Sequence, residues 1–186
     1  NRKEIIRANK LTIATAEEIF AAYKDTKLMY IVEIKDSGEA GKLAADRLNY
    51  LITEKFKDCN LLKRVVIGTF HTEIENYLKE KYPKIMRGGS TGEVTKFVLT
   101  QMFGVNIFDN SSFSCLQIPV KEKAFGIEFN LARKTYVKRA HRRNISVQYW
   151  TINDKEEMRR LIELGADVIM TDNPDILVEL LEEMGF

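Results

Sequence analysis

Short apolar runs alternate with amphipathic stretches along this chain, and the alternation predicts a repeating strand–helix unit. Leu28 to Ile34 is a continuous apolar run, Lys63 to Phe70 is a second, and Ile85-Met86 begins a shorter third. Ser114 to Val120, Ile145 to Thr151 and Val168 to Thr171 complete a set of six strands, near positions 29, 64, 85, 115, 146 and 168. Helical periodicity occupies the intervals. Residues 15–24 open with a capping box, Thr15 with Glu18 three residues on. Residues 42–56 place Leu43, Leu48, Leu51, Ile52 and Phe56 on one side. Further helices are predicted over 71–81, 93–102, 131–143, 155–164 and 174–183, with Gly165 and Pro174 as stop and start signals. Residues 103–113 look turn-like, and 127–130 fit no element well.

Continuous apolar strands joined by helical crossovers predict a parallel sheet covered on both faces. An open doubly wound sheet would use all six strands, whereas a (β/α)8 barrel would need two more. Gly88-Gly89-Ser90-Thr91-Gly92 lacks the spacing of a dinucleotide-binding turn. Polar residues recur instead at the C-terminal ends of several strands, as in barrel enzymes. The expected fold is therefore a TIM barrel of the α/β class with about six of its eight strands in this chain, residues 1–186 forming one incomplete domain.

Composition narrows the function classes. The chain has 186 residues, 45% hydrophobic and 30% charged, enough for one substantial core. A net charge of +2 gives no general attraction for nucleic acid. The basic stretch from Arg133 to Arg143 reads as a solvated helix face. Cys59 and Cys115 form neither a disulfide framework nor a metal knuckle. No run reaches the roughly 18 apolar residues of a membrane span, and a cytoplasmic location is the expectation. Asn1-Arg2-Lys3-Glu4 reads as an interior start, so it carries no information on a leader in the parent protein.

Several strand-end residues are candidates for chemistry. Glu33 and Lys35 alternate and so share one side of their strand. One reading makes Glu33 a metal ligand and Lys35 a point charge for a phosphate; the other makes them an ion pair at the sheet margin. Trp150, with Gln148 on its face, is either an aromatic wall for an organic substrate or a cap on the core. His71, at a strand–helix turn, is suited to proton transfer or to lining and capping. His141 falls on the basic helix, and Asp154 and Asp172 sit where helix caps or Asx turns are expected. Gly88 to Gly92 offers either backbone N–H groups for a phosphate or a tight turn capped by Ser90 or Thr91.

Four segments, in order, resemble glycerophosphodiester phosphodiesterases: Ile31-Val32-Glu33-Ile34-Lys35, Val66 to His71, Val147 to Asn153, and Leu164 to Pro174. The chain is similar to the C-terminal two-thirds of that domain, with the family's N-terminal motifs missing. The resemblance implies a TIM barrel that hydrolyses a glycerophosphodiester to an alcohol and glycerol 3-phosphate with a divalent cation, magnesium, calcium or manganese. It implies that Glu33 binds the metal, Lys35 stands beside the phosphate and Trp150 lies near the glycerol end, with Gln148 and His71 as further substrate contacts. None of the family's catalytic histidines is matched, since His71 and His141 align elsewhere. The expectation is an enzymatic parent domain and a 186-residue chain inactive alone, completed by a separate or unseen N-terminal segment. The alternative is a non-catalytic barrel that binds a phosphodiester or a protein.

Overall fold

The computed structural model of the chain describes residues 4, 8, 12–102, 112–124 and 126–186. Helix α1 (Ala16–Tyr23) begins at the predicted capping box: Thr15 accepts from the Glu18 amide while the Glu18 carboxylate takes the Thr15 amide at 2.8 Å. Strand β1 (Tyr30–Glu33) leads into α2 (Gly38–Tyr50), which continues as a π-helical turn over Leu51–Lys55. There follow β2 (Val65–Gly68), α3 (Thr72–Lys81), β3 (Met86–Arg87) and α4 (Thr91–Met102). The second half contains β4 (Cys115–Ile118), β5 (Lys121–Ala124), β6 (Ile127–Asn130), α5 (Lys134–His141), β7 (Ser146–Tyr149), α6 (Lys155–Leu164), β8 (Val168–Ile169) and α7 (Pro174–Glu183).

The strands form two parallel three-stranded sheets, β1-β2-β3 and β4-β7-β8. A parallel bridge between Gly88 and Cys115 joins them, reinforced by Gly89 N–H to the Cys115 carbonyl at 2.9 Å and Ser114 N–H to the Arg87 carbonyl at 2.8 Å. Strands β5 and β6 form an antiparallel hairpin that the sequence pattern did not predict. Lys121-Glu122-Lys123-Ala124 has no apolar alternation, and that of Ile127-Glu128-Phe129-Asn130 is too short to separate from a loop.

The expected TIM barrel is not what the chain forms. Among the described residues β1 pairs only with β2 and β8 only with β7, so no sheet closes. Closure requires every strand to be paired on both sides. Counting apolar runs supplied the strands but carried no information on which edges meet. Ile31, on β1, is 41% exposed, consistent with that open edge.

Apolar burial lies mainly between the sheets and their helices. Val65, Ile67, Ile74, Leu78, Ala45 and Leu48 anchor one cluster. Leu116, Val147, Tyr149, Val137, Met158 and Leu161 anchor the other. Arg87, 7% exposed at its side chain, is the buried cation of the helix side. It donates to Glu75 at 2.9 Å and to Glu93 at 2.7 and 2.9 Å. Both cysteines are free, and burial pushes the Cys115 thiol up to about 12. No helix among the described residues is long and apolar enough to cross a membrane. Of the stretch 103–113, residues 103–111 lie outside the described residues.

Candidate functional site

Parallel strands deliver their C-terminal residues to one end of a sheet, and here that end opens into a cavity of about 670 Å³. Register explains its floor. Glu33 pairs with Gly68 across β1 and β2, and Gln117 pairs with Gln148 across β4 and β7. Glycine at 68 and 88 leaves room for the Gln117 amide, because a Cβ at either position would meet its Oε1 at 2.9 or 2.7 Å. Gln117 donates to the Gln148 carbonyl oxygen at 3.1 Å, and Gln148 donates to Ser146 Oγ at 3.1 Å. The floor is thus polar but internally bonded.

Glu33 and Lys35 line one side of the cavity and are joined by a 2.8 Å ion pair. Lys35 is the more exposed partner, so its ammonium group remains open to solvent. Beneath it, His71 Nε2 donates to the Lys35 backbone carbonyl at 2.9 Å. Trp150 and Phe70 line the cavity together, their rings edge-to-face with centroids 6.3 Å apart. The Trp150–Thr151 peptide is cis. The β5 residues Glu122 and Lys123 supply a further charged wall.

The structure therefore brings Glu33, Lys35 and Trp150 to one cavity. Gln148, only 4% exposed, reaches it through Gln117, and His71 supports Lys35 from behind. His141 lies away from it, bonded to Asp167 at 2.8 Å. Asp154 caps α6 by accepting from the Glu157 amide at 2.8 Å. Asn153 takes the Asp172 amide at 2.9 Å and the Thr171 hydroxyl at 3.0 Å, tying the ends of β7 and β8. The glycine-rich turn is a sheet junction: Gly88 N–H donates to Ile67 and Gly89 N–H to Cys115, while Ser90 and Glu93 cap α4 reciprocally. Sequence reading missed Phe70, Gln117, Glu122 and Lys123 as cavity residues. The alternation of Gln117 on its strand was a usable signal; the hairpin offered none.

A metal centre is not borne out. Among the described residues no group of three or more His, Cys, Asp or Glu side chains could hold an ion. Glu33 is already neutralised by Lys35. A divalent cation requires several oxygen ligands, and one paired carboxylate does not fit that need.

Strand ends and helix-covered parallel sheets define an α/β protein with a cavity at the C-terminal edge of its strands, lined by Lys35 and Lys123 as well as Glu33 and Glu122. The chain belongs to the glycerophosphoryl diester phosphodiesterase family, which it matches over residues 1–176. The match starts at residue 1 and takes in the N-terminal portion, which corrects the expectation of a resemblance to the C-terminal two-thirds alone. A glycerophosphodiester phosphodiesterase of Caldanaerobacter subterraneus subsp. tengcongensis is 23% identical over 176 residues, covering 93% of this chain and 63% of that protein. The crystal structure of a glycerophosphodiester phosphodiesterase from Parabacteroides distasonis is similar with a TM-score of 0.62 and 22% identity, over 91% of this chain and 64% of that one. Another, from Agrobacterium tumefaciens, has a TM-score of 0.61 and 11% identity, over 89% and 60%. At these identities the structural likeness establishes the fold. The chain spans less than two-thirds of the length of these relatives.

Proposed function

We propose that this chain carries the substrate-binding side of a phosphodiesterase that hydrolyses glycerophosphodiesters to an alcohol and glycerol 3-phosphate. The observation that carries the proposal is the convergence of Lys35, Glu33 and Trp150 on one cavity at the strand ends, in a chain of this family. Lys35 meets the phosphate as a point charge, its backbone held by His71. Glu33 holds the ammonium group in place through the ion pair. Trp150 and Phe70 cover the carbon skeleton of the glycerol. A divalent cation, magnesium, calcium or manganese, enters at the level of the family only. A partner segment seated against the edge of β1 belongs to the same proposal.

The test is release of glycerol 3-phosphate from glycerophosphodiesters by the chain completed with its partner segment, compared with Lys35→Met. The proposal expects Lys35→Met to lower kcat/KM at least about tenfold, the worth of a charge-assisted phosphate contact. Unchanged turnover in Lys35→Met removes Lys35 from the site.

One observation favours a second reading, binding without turnover. Among the described residues neither histidine lines the cavity: His71 is bonded to the Lys35 carbonyl and His141 to Asp167. A saturable diester complex with no hydrolysis, even when the chain is completed by its partner segment, would establish that reading.

A further inference from the structure

The β5–β6 hairpin contributes Glu122 and Lys123 to the cavity wall, and its cross-strand register sorts its charges into two faces. Lys121 pairs with Asn130 and Lys123 with Glu128, so these four side chains share one face of the ribbon. On that face Lys121 and Glu128 close a 2.9 Å ion pair. Glu122 pairs with Phe129 on the opposite face, and Phe129 packs against the β4-β7-β8 core cluster. Glu122 is thus the hairpin carboxylate on the core side of the ribbon, and it lines the cavity, as does the neighbouring Lys123 of the other face. The cavity's other carboxylate, Glu33, is already committed to Lys35. Among the described residues Glu122 has no ion-pair partner of its own.

We infer that Glu122 selects the alcohol half of the diester, favouring a headgroup that carries a positively charged ammonium. The inference rests on the phosphodiester reading above. A phosphate anchored at Lys35 leaves its second ester substituent to reach other walls of a cavity of about 670 Å³. Such volumes hold a ligand much larger than glycerol phosphate. A carboxylate lining the same cavity as the aromatic pair of Phe70 and Trp150 offers an ammonium group charge pairing and attraction to the ring faces. A neutral alcohol gains neither. Discrimination between headgroups then comes from Glu122, whereas affinity for the phosphate comes from Lys35.

Trp150 is the only tryptophan and lies in the cavity, so its fluorescence reports occupancy. The experiment titrates the full chain with glycerophosphocholine, which bears a quaternary ammonium, and with glycerophosphoglycerol, which bears a neutral alcohol. The wild-type chain is expected to prefer the choline ester by about tenfold, a difference within reach of one cation site. Glu122→Gln should abolish that preference by weakening the choline ester alone, and Glu122→Lys should reverse it. Glu128→Gln, on the outer face, should leave it intact. Equal affinity of the wild-type chain for the two esters, or equal weakening of both by Glu122→Gln, overturns the inference and leaves the phosphodiester reading standing. Binding of neither ester by the wild-type chain overturns both.

Discussion

His71 Nε2 donates a 2.9 Å hydrogen bond to the backbone carbonyl of Lys35, linking the loop after β2 to the loop after β1. A carbonyl only accepts, so the proton sits on Nε2 and the ring is fixed relative to the lysine that faces the cavity. In the proposed site His71 would act as a positioning residue for Lys35.

His71→Ala should therefore cost about 1 kcal/mol of stability, the usual net worth of one hydrogen bond. It should also weaken phosphate-ester binding while leaving Trp150 fluorescence in the free chain unchanged. Thermal melting and a fluorescence titration check both, and wild-type affinity in the variant would remove the positioning role.

The cavity floor depends on two glycines. In Gly88→Ala the new Cβ meets Gln117 Oε1 at 2.7 Å, and that amide is restrained by its bond to Gln148. The variant should lose about 1–3 kcal/mol through overpacking. Combining it with Gln117→Ala should recover part of the loss, a coupling that a double-mutant cycle measures directly.

Arg87 is buried between two carboxylates, Glu75 and Glu93. Arg87→Met leaves both without a cation, and a loss of about 3–5 kcal/mol is expected in chemical denaturation. A loss below about 1 kcal/mol, typical of surface pairs, would show that water reaches the cluster.

The same cluster sets opposing pH dependences. Burial pushes the Glu93 carboxyl up, but hydrogen bonding and charge from Arg87 outweigh it and hold the group at about 2. A depressed folded value means stability present above the ordinary 4.5 and lost as pH falls toward 2. Glu75 is raised above 4.5 by burial and by its hydrogen bond to Glu93. Its stabilising protonated form is present below 4.5 and lost as pH rises through the raised value. Melting temperature followed from pH 2 to pH 8 should flatten on the acid side in Glu93→Gln and above pH 4.5 in Glu75→Gln.

Local signals were read well wherever chemistry acts within a few residues. The Thr15 capping box, Asp154 as the α6 cap, Gly165 as its stop and Pro174 in the first turn of α7 all stand as the pattern predicts. Apolar runs located the six parallel strands, although each formed strand is shorter than its run or shifted by a residue, because side-chain hydropathy continues past the last ladder bond. What eluded the sequence is non-local. Pairing of edges decided against a closed barrel, and register between β4 and β7 put Gln117 in the cavity with Gln148 behind it. Glu33 and Lys35 were visible by alternation, yet whether Glu33 would meet carboxylates or only its neighbouring lysine depended on elements far along the chain.

The measurement that tests the central claim most directly is a Trp150 fluorescence titration of the chain and of Lys35→Met with a glycerophosphodiester. Saturable quenching in the wild-type chain, with affinity lowered about tenfold in Lys35→Met, is the predicted result. Absence of any response, or identical affinity in the variant, would contradict a phosphodiester site built on Lys35 and Trp150.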